Sequence, residues 1–266
     1  MNYSELYSQI LSKRSYLCVG LDSDEALLPE CLSGAENPVF EFNRQIIDAT
    51  AEFTVCYKPN TSFYEAYGVR GWKQLEMTVQ YIKENYPDIF VIIDAKRGDI
   101  GNTAKRYAKA FFENMDADAV TVSPYMGSDA VTPFLEYPGK WAVILGLTSN
   151  ESASEFELSG EPALYKKVLT QFSSESKDNT MFVVGATRPE LFQEVRKICP
   201  DHFLLVPGVG AQGGDLASVA KYGLNAHCGL LVNSSRGIIY ASNGADFAAA
   251  ARREASALAA RMSETL

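Results

Sequence analysis

A chain of 266 residues, 47% hydrophobic and with a formal net charge of −9, is long enough to bury a full core and carries an acidic surface. That surface disfavours nucleic acid and anionic membranes as partners, but a pocket of opposite local potential can still hold an anionic substrate. No apolar stretch approaches the roughly 20 residues of a membrane span, and "MNYSELYSQILSKR" at the start has no apolar segment of signal-peptide length. A cytoplasmic protein is therefore expected.

In chain order, β-rich runs recur at 16–22, 53–60, 89–96, 118–124, 141–149, 180–187, 203–210 and 229–235. Their Val/Ile/Leu positions are nearly continuous rather than alternating, which suits parallel strands covered on both faces. Amphipathic helices lie between them. In "NTAKRYAKAFFENM", Ala104, Tyr107, Ala108, Phe111, Phe112 and Met115 recur at helical spacing and predict one buried face, with Asn102 or Thr103 as the cap. A last helix over 246–263 carries Phe247, Ala251, Leu258 and Met262 on one side. Eight such units predict a single-domain (β/α)8 barrel over 1–266, with its active site at the C-terminal strand ends; an open doubly wound sheet is the alternative. The longest irregular stretches, around 23–38 and 150–162, both follow strands.

Cys18, Cys31, Cys56, Cys199 and Cys228 are odd in number with no close pair. Cys18, Cys56 and Cys228 sit in or beside apolar runs and are expected as buried thiols. His202 and His227 fall near a strand start and a turn. No Cys/His cluster has metal-ligand spacing, so no metal site is expected.

The strand ends carry the chemistry. The first ends in Asp22, the second in Lys58, the third in Asp94 and Lys96, and the fifth in Thr148, Ser149 and Asn150. The seventh leads into "PGVGAQGG" and the eighth into "NSSRG". A single charged strand end is ordinarily a solvated terminus. In a barrel these ends converge on one face, where catalytic groups sit, and the recurrence favours a site. Asp94 and Lys96 are two apart, so in a regular strand their side chains share a face. The glycines of "PGVGAQGGD" let backbone N–H groups approach an anion, and Arg236 supplies a bidentate phosphate partner. Together they predict a phosphate cradle.

"DAKRGDIGNT" resembles the signature of the orotidine 5′-monophosphate decarboxylases, in the form carried by a bacterial subgroup. The resemblance extends through "LCVGLDSD", "CYKPNTSFYEAYG", "LTSN", "VPGVGAQGG" and "LLVNSSRGIIYAS", nearly the whole chain. It implies a cofactor-free (β/α)8 homodimer that converts orotidine 5′-phosphate to UMP and CO2, with sites shared across the interface. Lys58, Asp94, Lys96 and Asp99 match the family's Lys/Asp array, and Asp99, Ile100 and Thr103 are implied to reach the partner's site. Asp22 matches the ribose-hydroxyl acid, Gln212 the glutamine joining a closing loop to phosphate and base, and Arg236 the phosphate arginine. Ser149 is the choice for the pyrimidine contact, with Thr148 and Asn150 as neighbouring alternatives.

The chemistry suits these residues. Loss of CO2 from C6 leaves a carbanion-like centre without an adjacent electron sink, so fixed protein charge must stabilise it. Lys96 is placed to do so and then to protonate C6, between two acids that Lys58 balances. Asp94 crowding the substrate carboxylate is a further option, and phosphate binding energy can hold the ring in register. Two rivals differ in chemistry. A magnesium-dependent sugar-phosphate enzyme on the same scaffold needs an acid near the second strand, where this chain has Lys58. A non-catalytic phosphoribosyl sensor should have lost a member of the array, and none is missing.

Overall fold

Apolar residues follow one another without alternation because each strand is covered on both sides. In the computed structural model, which describes residues 1–209 and 214–266, β1 (Leu17–Leu21), β2 (Thr54–Pro59), β4 (Ala119–Val122), β6 (Thr180–Val184) and β7 (Phe203–Val206) are buried at every position. With β3 (Phe90–Arg97), β5 (Trp141–Leu147) and β8 (Leu230–Ser234) they form a closed parallel barrel in sequence order. Pairing of β8 with both β7 and β1 closes it, so the open sheet falls away. The strands are those expected, mostly shorter at their C-terminal ends, where the polar turns begin.

The barrel interior is filled in layers. Phe90, Trp141 and Phe203 are the first residues of β3, β5 and β7, which are not neighbours, yet their rings meet at centroid distances of 5.7 and 6.4 Å. Contact between alternate strands runs through the inside, as barrel layering requires. Tyr3, from the helix Tyr3–Lys13, covers this end, 4.9 Å from Phe203. Asp118, 3% exposed, ties the same end together: it accepts hydrogen bonds from Lys83 and from Val91 N–H and lies 3.6 Å from the terminal amine of Met1.

The helix Gly101–Lys109 runs on as a π-turn over Ala110–Asn114 and buries Ala104, Ala108, Phe111, Phe112 and Met115, as their spacing predicts. Tyr107 is half-buried, with the Arg97 guanidinium 5.2 Å from its ring centroid. The expected cap is corrected. The cap position is Ile100, with no side-chain cap, and Asn102 and Thr103 lie within the first turn. Gly101, at φ +56°, lets the chain enter the helix earlier than a polar cap predicts. The last helix, Phe247–Ser263, buries Phe247, Ala251 and Met262 and half-buries Leu258. Cys18, Cys56 and Cys228 are buried free thiols as expected, Cys199 joins them, and Cys31 is exposed. No described helix is long and apolar enough to cross a membrane.

Candidate active site

The third strand does not end as a regular strand. Ile93 pairs with Val120 and Arg97 with Val122, so four steps along β3 match two along β4. The surplus is a bulge holding Asp94, Ala95 and Lys96, a device common beside active sites. Within it Lys96 takes φ +47°, a left-handed conformation that costs a non-glycine residue roughly 1–2 kcal/mol. The sequence rule that brought Asp94 and Lys96 together was strand alternation. They do meet, but through a bulge and a left-handed lysine.

Asp94 is the hub. Its Oδ1 accepts from Lys96 Nζ at 2.7 Å and from the Thr121 hydroxyl at 2.9 Å, and its Oδ2 accepts from Lys58 Nζ at 3.0 Å. Thr121 Oγ1 in turn accepts the Lys96 backbone N–H at 2.9 Å. Burial opposes the Asp94 charge, but attraction to Lys58 and Lys96 and their hydrogen bonds outweigh it and hold this carboxyl well below the usual carboxylate range. Lys58, 4% exposed, is likewise penalised by burial, yet Asp94 and Asp22 raise its pKa above the ordinary lysine value. Both groups are therefore charged at neutral pH. Lys96 carries the opposite end of the array, its side chain 49% exposed.

Asp22 follows β1, with Oδ1 3.9 Å from Lys58 Nζ. That oxygen is buried and has no hydrogen-bond donor. Asp22, Lys58, Asp94 and Arg236 line one cavity of about 160 Å³, together with Asn60 and Asn233, to which sequence reasoning assigned no role. Arg236 is exposed at the start of a short helical turn after β8. Asp99 is not part of its own chain's cluster. It is partly exposed, and its Oδ1 accepts the adjacent Ile100 N–H at 2.8 Å. Ile100 (45% exposed) and Thr103 also face outward.

Ser149 lies apart, lining a separate concavity of about 440 Å³ with Asn150, Glu151, Thr187 and Arg188. Its neighbours are engaged: Thr148 Oγ1 lies 2.7 Å from Glu157 and 2.6 Å from Asn150, whose amide donates to Ser152. Gln212 lies outside the described residues. A larger concavity of about 500 Å³ sits at the N-terminal strand ends beside Met1, Lys83 and Asp118. Its buried acid is already consumed by partners, and that face of a barrel serves stability. Thr121 was passed over because a threonine within an apolar β run is ordinary strand composition and gives no signal.

The barrel and its buried ionic array define a (β/α)8-barrel enzyme. A family model described as orotidine 5′-phosphate decarboxylase / HUMPS matches residues 15–252. The orotidine 5′-phosphate decarboxylase of Flavobacterium johnsoniae is 56% identical over 100% of this chain and 98% of its own length, and that of Phocaeicola vulgatus is 54% identical over 100% and 99%. The solved structure of Leishmania donovani OMP decarboxylase superposes with a TM-score of 0.82 at 35% identity, covering 98% of this chain and 99% of that one. The chain belongs to the orotidine 5′-phosphate decarboxylase / HUMPS family.

Proposed function

We propose that this enzyme decarboxylates orotidine 5′-phosphate to UMP and CO2 in pyrimidine biosynthesis, as a cytoplasmic homodimer, with Lys96 as the proton donor. The observation that carries the reading is the continuous Lys58–Asp94–Lys96 array, held at 3.0 and 2.7 Å beside the cavity. The C6–carboxylate bond breaks, CO2 leaves, and the electron pair stays on C6. The Lys96 ammonium stabilises that charge and passes a proton to C6; solvent then reprotonates the amine. Because the charges are already fixed, little reorganisation is needed as the bond breaks. This route calls for no metal or organic cofactor.

Asp22, with its undonated buried oxygen, is suited to accept a ribose hydroxyl, and Lys58 holds the array from below. Arg236 takes the phosphate, with Gln212 assigned to phosphate and base by the resemblance. Ser149 is assigned to the pyrimidine by the resemblance. Asp99, Ile100 and Thr103 face out from their own chain and are assigned to the partner's site. A magnesium-dependent activity on a sugar phosphate is the rival within the family, and the Lys58 ammonium, 3.0 Å from Asp94, stands against a divalent cation there.

The test is the loss of absorbance as orotidine 5′-phosphate becomes UMP, with and without EDTA. Wild-type enzyme should turn over in both. Lys96→Ala should lose at least 10³-fold in kcat, in keeping with removal of a transition-state charge partner together with the general acid, while still binding UMP. Near-normal kcat in that variant would overturn the assignment of Lys96.

A further inference from the structure

A bulge that delivers a catalytic lysine raises a problem of its own. It takes the Lys96 N–H out of the strand ladder, and a buried backbone donor without a partner is costly. It also leaves Asp94 to be aimed by groups other than the regular strand. One side chain answers both needs. Thr121, on β4 opposite the bulge and 1% exposed, accepts the Lys96 N–H and donates its hydroxyl proton to Asp94 Oδ1, each at 2.9 Å. The same Oδ1 takes Lys96 Nζ at 2.7 Å, so backbone, ammonium, carboxylate and hydroxyl form a closed ring of contacts. Lys58 holds the other carboxylate oxygen.

We propose that Thr121 is a positioning residue for the Lys96–Asp94 pair, acting through the single hydroxyl that bridges the Lys96 N–H and Asp94 Oδ1. It does not line the cavity of Asp22 and Arg236 and acts through the lysine rather than on substrate. Its hydroxyl fixes the left-handed turn that points the Lys96 side chain back along its own strand. Without it, the carboxylate keeps both lysines but loses the contact that ties it to the Lys96 backbone. The inference rests on the reading of Lys96 as proton donor.

Valine matches threonine in shape and removes both hydrogen bonds, whereas serine keeps them and removes a methyl group. Thr121→Val should lower kcat for orotidine 5′-phosphate by about 10- to 100-fold, the scale expected when a reacting group is displaced by an ångström or less. KM should change less than threefold, because the Asp22 and Arg236 contacts remain. Thr121→Ser should recover most of kcat even if it melts lower. If the valine variant does not fold, Thr121→Ser against Thr121→Ala gives the same comparison, since those two differ by the hydroxyl alone. A kcat for Thr121→Val within twofold of wild type, or a serine variant as slow as the valine or alanine one, would overturn the proposal. Failure of the underlying reading looks different: there Lys96→Ala itself keeps its turnover, and the positioning role falls with it.

Discussion

Asp94 joins fold stability to the proposed chemistry, because the same carboxylate holds both lysines. Lys58 is buried and its ammonium has two acids within reach, Asp94 at 3.0 Å and Asp22 at 3.9 Å. Asp94→Asn removes the nearer and leaves a buried charge poorly compensated, a change that costs about 3–5 kcal/mol in comparable pairs. The pH dependence follows from the depressed Asp94 pKa. A carboxyl with a lower pKa folded than unfolded contributes its full stability above the unfolded value of about 3.9 and loses it as pH falls towards the folded value. Urea midpoints of wild type and Asp94→Asn should therefore differ by a constant amount from pH 7 to about pH 5, and the gap should narrow in stronger acid. A gap that stays constant down to pH 3 would show that Asp94 is not held in this way.

Among the elements, 150–162 is one of the two long irregular stretches that follow strands. The structure ties it down. The Glu157 carboxylate accepts the Thr148 N–H at 2.6 Å and the Thr148 hydroxyl at 2.7 Å, and the Glu157 carbonyl accepts Tyr165 N–H at 2.9 Å. One side chain thus pins the segment to the end of β5. Glu157→Ala leaves the Thr148 N–H without its partner and should cost about 1–3 kcal/mol. Limited proteolysis should then cut within 150–162 several-fold faster than in wild type; equal rates would show that the carboxylate is not the anchor. Helix faces were legible at this scale because burial imposes a 3.6-residue period, as Ala104, Ala108, Phe111 and Met115 show. The start of that helix was not. Gly101 and the extended Ile100 decided it through backbone conformation rather than a capping side chain.

For the whole molecule, the proposed homodimer with shared sites has a direct test. Asp99, Ile100 and Thr103 lie partly or fully exposed after β3, and Tyr125 (81% exposed) and Met126 (52%) follow β4. If each site borrows Asp99 from its neighbour, Asp99→Ala and Lys96→Ala enzymes, each nearly inactive alone, should regain about a quarter of wild-type activity on mixing, because random exchange places one intact site in half of the dimers. No recovery under verified subunit exchange would refute shared sites. The sequence by itself determined the eight strands and the charged residues at their ends, and it favoured a closed barrel over an open sheet; the pairing of β8 with β1 decided the closure. Burial on both faces writes a strand as an unbroken apolar run, and a charge that interrupts such a run stands out against it. Only the tertiary structure decided how the charges meet. Whether Lys96 reaches Asp94, that Thr121 bridges them, and that Asp99 is excluded from its own cluster depend on a bulge set by pairing with β4. Pairing is a long-range property that local residue order does not encode.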